Sequence, residues 1–240
     1  PEKPEVYQQL SRAIVGIKRA CEAFSTPVIG GNVSLYNGTQ GNAIYPTPII
    51  GMVGLVEKKE EHITTPWFKN EGDIIFLLGE TLHELGGSEL QTVLAREIKG
   101  KPPQLNVKNE KNLQQAVLEA IEKGFIQSAH DLSEGGLAVA LAESCMGGGK
   151  GAHCYLETKL SPLSYLFSES QSRVVISILP ADEEGMNALL HKYAVTSTRI
   201  GKVQAKEELT VEINGKRQVC FSLDQLREAY KGAIPCMMNS

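Results

Sequence analysis

Two stretches of this 240-residue chain carry side chains whose types and spacing could handle phosphate and a hard cation. The first is Gly30-Gly31-Asn32-Val33-Ser34-Leu35-Tyr36-Asn37. Adjacent glycines allow a sharp backbone turn and a close approach to a ligand. Backbone N–H groups there suit phosphate oxygens, the Asn32 side-chain carbonyl suits a cation such as Mg2+, and the Ser34 hydroxyl suits either. A plain Gly-Gly turn between two strands accounts for the glycines equally well. The second stretch is His130-Asp131-Leu132-Ser133-Glu134-Gly135-Gly136-Leu137. Asp131 is a candidate hard-cation ligand and Ser133 a candidate phosphate contact. The competing role for Asp131 is a turn or helix-capping aspartate. His130 reads as a packed or supporting histidine, because no partner triad is visible.

Three further stretches bear on the chemistry. Gly86-Gly87-Ser88 precedes a helical pattern, and Ser88 is placed to cap it. The same Gly-Gly-Ser could hold an anion at the helix start. Residues 146–151 are glycine-rich but lack the spacing of a phosphate loop, and they read as a flexible loop. Ser168-Glu169-Ser170-Gln171-Ser172 is a polar cluster directly ahead of an apolar run.

The elements that must position these residues follow from periodicity. Apolar residues near helical spacing predict a helix over 4–24, and a short strand over 26–29 leads into the first glycine pair. A turn at 38–42 precedes a strand over 43–56. Pro46 and Pro48 demote the first half of that strand, and its second half is apolar enough to be a buried central strand. A charged connector follows, pinned by Trp67. Beyond it the pattern predicts strands at 73–78, 126–129, 152–156, 174–179, 198–203, 209–213 and 218–221. Helices are predicted near 88–98, 109–124, 136–145, 181–194 and 223–230. Asn214-Gly215 is a hairpin turn. The whole reads as α+β (mixed α/β), divided into residues 1–66 and 67–240.

Composition narrows the function. A net charge of −4 with no Lys/Arg block argues against nucleic acid as a main partner. Five cysteines stand at no metal or disulfide spacing and read as reduced thiols in a cytoplasmic protein. No apolar run approaches the roughly 20 residues that span a bilayer, and no signal peptide is visible. The chain begins without Met and enters a helix almost at once, so it reads as a segment of something longer.

Gly30–Asn37, His130–Leu137 and Leu166-Phe-Ser-Glu-Ser-Gln-Ser-Arg173 together resemble one family, the synthetase subunit of phosphoribosylformylglycinamidine synthase in its small, multi-subunit form. Leu85–Glu89 and Pro46–Val53 match it as well, in the same order. The resemblance implies the second of two aminoimidazole-ribonucleotide-synthetase-like repeats, with part of its sheet-forming first half and all of its α/β second half. It implies an ATP-dependent ligase that makes formylglycinamidine ribonucleotide, ADP and phosphate from formylglycinamide ribonucleotide, ATP and glutamine-derived ammonia. The implied cofactors are ATP/ADP and Mg2+. The implied partners are the first repeat of the same subunit, a glutaminase subunit and a small bridging subunit. By motif match Gly31 touches nucleotide, Asn32 ligates magnesium and Ser34 contacts substrate. Asp131 and Ser133 match metal and nucleotide positions of the pseudo-symmetric site. No catalytic residue is carried over, because the family's catalytic histidine lies in the first repeat. A non-catalytic scaffold half holding a structural nucleotide is the other role such a segment could have. A selenophosphate synthetase or a hydrogenase maturation dehydratase fits less well: neither accounts for the Gly30–Asn37 match.

Overall fold

The computed structural model describes residues 3–35, 38–39, 41–56 and 63–238. The chain divides into two compact units, Pro1–Val56 and Glu57–Ser240.

The first unit contains α1 (Pro4–Phe24) and a two-residue hairpin, β1 (Gly38–Thr39) with β2 (Asn42–Ala43). Pro4 opens α1 where its missing N–H costs nothing, and Ser25 closes it in a left-handed conformation with its N–H on the Cys21 carbonyl. No residue of α1 is buried. The strand expected over 26–29 is not formed, and of the one expected over 43–56 only Ala43 is paired, in β2; residues 44–56 lie as irregular chain. Ile29, Tyr45, Ile49, Val53 and Leu55 are each at least 90% exposed. A strand exists only by pairing, and among the described residues of this unit no strand pairs with 26–29 or 44–56. The charged residues 57–62 of the expected connector lie outside the described residues.

The second unit is a seven-stranded sheet between two helical layers. The strands are β3 (Ile74–Leu78), β4 (Ile126–Asp131), β5 (Gly151–Leu156), β6 (Val174–Ile178), β7 (Ser197–Gln204), β8 (Glu208–Ile213) and β9 (Lys216–Ser222). Their order is β4-β6-β3-β7-β5-β8-β9, antiparallel throughout except for the β5–β8 pair. Strand β3 is buried on both faces, and its alternation divides the core. Ile75 and Leu77 join one cluster with Leu137, Leu141 and Tyr165, from α4 (Gly136–Gly148) and α5 (Pro162–Phe167). Ile74, Phe76 and Leu78 join the other with Leu113, Ala116 and Met186, from α3 (Val107–Glu122) and α6 (Glu183–Lys192). Asn106 caps α3 by accepting from the Lys108 and Asn109 N–H groups, each at 3.1 Å. Asn214 and Gly215 turn β8 into β9 with φ of 51° and 73°, the double left-handed geometry of a type I′ hairpin. The closing helix α7 (Leu223–Met238) seats Leu223 in the first cluster.

Three expectations fail in this unit. The glycine-rich run is not a flexible loop: α4 continues through it to Gly148, and Gly147 and Gly148 pack so closely on Trp67 and Phe68 that neither has room for a Cβ. Trp67 thereby holds the incoming chain on α4, with the Phe68 N–H donating to the Ser144 carbonyl at 3.1 Å. The helix after Ser88, α2 (Glu89–Ala95), ends three residues before Ile98. Ser88 does not cap it through its side chain; the hydroxyl donates instead to the Leu85 carbonyl at 2.7 Å.

Candidate functional site

The sheet register sets Leu78, Asp131, Val174 and Ser197 in one row. Everything after β3 and β4 and before β6 and β7 therefore emerges along one edge. Three of the motif loops meet there: 79–88, 131–136 and 168–173.

Arg173 organises the third loop. It is 2% exposed. Its Nε donates to the Ser170 carbonyl at 2.9 Å, Nη1 to the Thr81 hydroxyl at 3.1 Å and Nη2 to the Ser168 carbonyl at 2.5 Å. Burial pushes the guanidinium down to about 10, partly opposed by Tyr165, Glu84 and Glu169, so it stays protonated at neutral pH. A buried cation without a directly bonded carboxylate is expensive, and charge-assisted bonds to carbonyls offset that cost by roughly 1.5–3 kcal/mol each. The net effect is to hold the loop in one shape. Gly79 fits under it with a φ of +87°, where a Cβ would collide with the Ser172 carbonyl.

Glu169 ties the three loops together. Its Oε1 accepts from the Glu89 N–H and from the Gly135 N–H, both at 2.9 Å. Its own N–H donates to the Glu84 carbonyl at 3.2 Å. One carboxylate oxygen thus occupies the point where the amides opening α2 and α4 converge, and it supplies the anion that helix starts favour. The Glu89 amide that follows Gly-Gly-Ser at the start of α2 is taken by a residue of the chain itself. Ser168 and Ser170 complete the knot. Ser168 donates to the Leu82 carbonyl at 2.7 Å, the two hydroxyls lie 2.9 Å apart, and Ser170 accepts from the Leu82 N–H at 3.1 Å.

Asp131 stands at the rim with its side chain 82% exposed. Ser133 is exposed two residues on, its carbonyl accepting from the Gly136 N–H at 3.1 Å. His130 is a supporting residue: Nδ1 lies 2.7 Å from the Asp131 carbonyl and Nε2 lies 3.0 Å from Glu143 Oε2. Gly31, Asn32 and Ser34 belong to the first unit, in an exposed irregular stretch, and Tyr36 and Asn37 lie outside the described residues. Neither Gly30 nor Gly31 has a left-handed φ or a neighbour that a Cβ would meet, so the expected sharp glycine turn is absent. The edge loops bring Asp131 and Ser133 together, while the other three residues form a separate group on the first unit.

Two groups at this edge escaped the reading of residue types: the Glu169 carboxylate as a tie and Arg173 as an anchor. A signal for Arg173 was present, a lone cation abutting the buried run Val174-Val175-Ile176.

The donor chemistry suits a magnesium–nucleotide complex. On the second unit Asp131 offers an exposed hard carboxylate; on the first, taken separately, Asn32 lies in an exposed stretch. Among the described residues no three of His, Cys, Asp and Glu stand together as a closed metal cage. Magnesium is commonly held by one or two carboxylates, with water and phosphate oxygens completing its shell, so an exposed carboxylate such as that of Asp131 is chemically suited to it.

Family models match both halves of the chain: AIR synthase related protein, N-terminal domain, over residues 1–56, and AIR synthase related protein, C-terminal domain, over residues 70–214. The chain belongs to the AIR synthase related family. Within it, the likeness is to the PurL branch. Phosphoribosylformylglycinamidine synthase subunit PurL of Caldanaerobacter subterraneus subsp. tengcongensis is 46% identical over 239 residues, 100% of this chain and 32% of that relative. The same subunit of Thermoanaerobacter pseudethanolicus is 46% identical with the same coverage. The chain spans about a third of the length of these curated relatives, at 32% of each. Two solved structures share the fold. T. maritima PurL complexed with FGAR has a TM-score of 0.62 at 22% identity, covering 70% of this chain and 30% of that one. T. maritima PurL complexed with ATP has a TM-score of 0.56 at 21% identity, covering 70% and 27%.

Proposed function

We propose that this chain is part of an ATP-dependent C–N ligase of purine biosynthesis. The ligase converts formylglycinamide ribonucleotide, ATP and glutamine-derived ammonia to formylglycinamidine ribonucleotide, ADP and phosphate. The observation that carries the reading is 46% identity sustained over 239 residues to PurL subunits. The partners are the other repeat of the same subunit, a glutaminase subunit and a small bridging subunit. The work is cytoplasmic, in keeping with Cys145 and Cys154 as free buried thiols. Among the described residues no helix is long and apolar enough to cross a membrane.

In this reading Gly31 approaches the nucleotide, Asn32 offers an oxygen to magnesium and Ser34 contacts substrate, while Asp131 and Ser133 serve metal and nucleotide at the pseudo-symmetric site. Bound magnesium would neutralise phosphate charge. The chain itself contributes position: Arg173 and Glu169 hold the loop that carries Asp131 and Ser133 against the loops beside it.

The test is an ammonia-dependent assay of the full-length subunit carrying Asn32→Ala. Activity should fall at least about 10-fold, with a raised requirement for magnesium–ATP. Unchanged ATP and magnesium dependence would overturn the assignment. This chain alone should give no turnover in the same assay.

A further inference from the structure

The peptide unit after Asp131 is held from both sides. Its N–H, that of Leu132, donates to the Arg173 carbonyl at 3.0 Å. Its carbonyl, that of Asp131, faces the other way. Strand β4 ends the sheet, with β6 as its one strand neighbour among the described residues. Alternate residues of such an edge strand point their N–H and C=O groups off the edge. Ala129 is one of these, its N–H donating outward to the Thr65 carbonyl at 3.1 Å. Asp131, two residues on, is the next, and His130 takes the carbonyl that a further strand would have taken, with Nδ1 at 2.7 Å. A carbonyl only accepts, so Nδ1 donates.

The ring is fixed in turn. Its side chain is 18% exposed, and Nε2 lies 3.0 Å from Oε2 of Glu143, a residue of α4. A line of contacts therefore runs from α4 through Glu143 and His130 to the Asp131 carbonyl. The far end of the loop is secured separately: the Ser133 carbonyl accepts from the Gly136 N–H at 3.1 Å, and the Gly135 N–H donates to Glu169 at 2.9 Å. Among the described residues no other side chain bonds to Asp131.

The Asp131 carboxylate and the Ser133 hydroxyl flank this peptide unit, so its orientation sets the distance and angle between them. We propose that His130 and Glu143 are positioning residues that hold the Asp131 carboxylate and the Ser133 hydroxyl in register for one metal–phosphate group. The proposal rests on the reading that those two residues serve metal and nucleotide. Magnesium demands near-octahedral geometry at about 2.0–2.1 Å, so a carboxylate that turns with its peptide loses the shared complex. Residues that orient metal ligands carry effects of about 10–100-fold on metal affinity, and a brace acting through one peptide unit belongs at the lower end of that range. A bare charge effect of Glu143 is separable from bracing. Glutamine keeps the contact with Nε2 through either end of its amide and removes the charge.

The test is ADP binding to the full-length subunit by equilibrium dialysis over a series of Mg2+ concentrations, read on the binding that Asp131→Asn removes. His130→Ala and Glu143→Ala should each raise the Mg2+ concentration at half-maximal binding about tenfold, with the amount bound at saturating Mg2+ unchanged. Glu143→Gln should stay within about twofold of the parent. An unmoved midpoint in Glu143→Ala, or a Glu143→Gln shift as large as that of Glu143→Ala, overturns the proposal, whether or not the His130 variant folds. A fall in the saturated amount in place of a shifted midpoint marks a merely structural role and overturns it too. Asp131→Asn tells these failures from failure of the reading beneath them. If it leaves midpoint and amount bound unchanged, that reading falls and the proposal with it. If it lowers binding while the alanine variants do nothing, only the bracing is overturned.

Discussion

The apolar run 49–56 and strand β3 have similar compositions and opposite fates. Ile49, Val53 and Leu55 are 91%, 96% and 91% exposed, while Ile74, Ile75 and Leu78 are 1%, 0% and 0% exposed. Both runs are dominated by large apolar residues and would pass the same test for a buried strand. The difference is pairing. Strand β3 has β6 on one side and β7 on the other, with helices above and below. Among the described residues of their own unit, residues 49–56 have no strand beside them. Hydrophobicity makes a segment able to be a core strand, and neighbours make it one. The same contrast runs through the sites. The edge loops are tied together by Glu169 and Arg173, whereas Gly30–Leu35 is irregular and exposed.

Hydrogen exchange gives the largest contrast. Amides of β3 should open only with global unfolding, about 5–15 kcal/mol for a domain, and those of 44–56 should exchange near the unprotected rate. Strong protection over 44–56 in the isolated chain would show that the run finds a partner strand.

Next comes Arg173→Met, which keeps apolar bulk but strands the Ser168 and Ser170 carbonyls. A loss of about 3 kcal/mol is expected, read as a fall in Tm of about 6–12 °C. A fall under 2 °C would mean that the edge loops hold their shape without the guanidinium.

Glu169→Ala should cost less, about 1–2 kcal/mol, because the Glu89 and Gly135 amides lose their shared acceptor and water can replace part of it. Chemical shifts at both Glu89 and Gly135 should move together in this variant. Movement at only one of them would break the picture of a shared tie.

The smallest effect is electrostatic. Asp73, 1% exposed at the start of β3, has its carboxyl raised by burial, against hydrogen bonds from Asn70 and the charge of Lys69. A raised folded-state value means that its contribution to stability is fully present below the ordinary value of 3.8 and is lost as pH rises through the raised value. Asp73→Asn removes that titration. The variant should gain on the parent chain by about 1 kcal/mol or less between pH 4 and pH 7, measured as the change in their Tm difference. A constant difference across that range would contradict it.

Much of the second unit was legible because its signals are local. The apolar residues of α3 fall on one face, the alternation of β3 names both cores, and Asn214-Gly215 specifies its turn through φ alone. Three of the motif strings, Leu85–Glu89, His130–Leu137 and Leu166–Arg173, also come to one edge. Ser88 was misread because a capping hydroxyl and a hydroxyl bonded three residues back occupy the same sequence position. The glycines at 147–148 were misread because a glycine kept for close packing against Trp67 and Phe68 looks, in sequence, like a glycine kept for freedom.

The sequence by itself determined the strands and most of the helices of the second unit, because those choices rest on the period of its own apolar residues; the helix over Pro162–Phe167 and the extension of α4 to Gly148 it did not. It also determined the family, because several motifs recur in one order. Only the tertiary structure decided that Glu169 bridges Glu89 and Gly135, residues 80 and 34 positions away. It alone decided that Arg173 anchors Ser168 and Ser170, and that residues 49–56 stay exposed. A hydrogen bond across such separations depends on which strands lie side by side, and a segment is buried only when another segment comes to cover it.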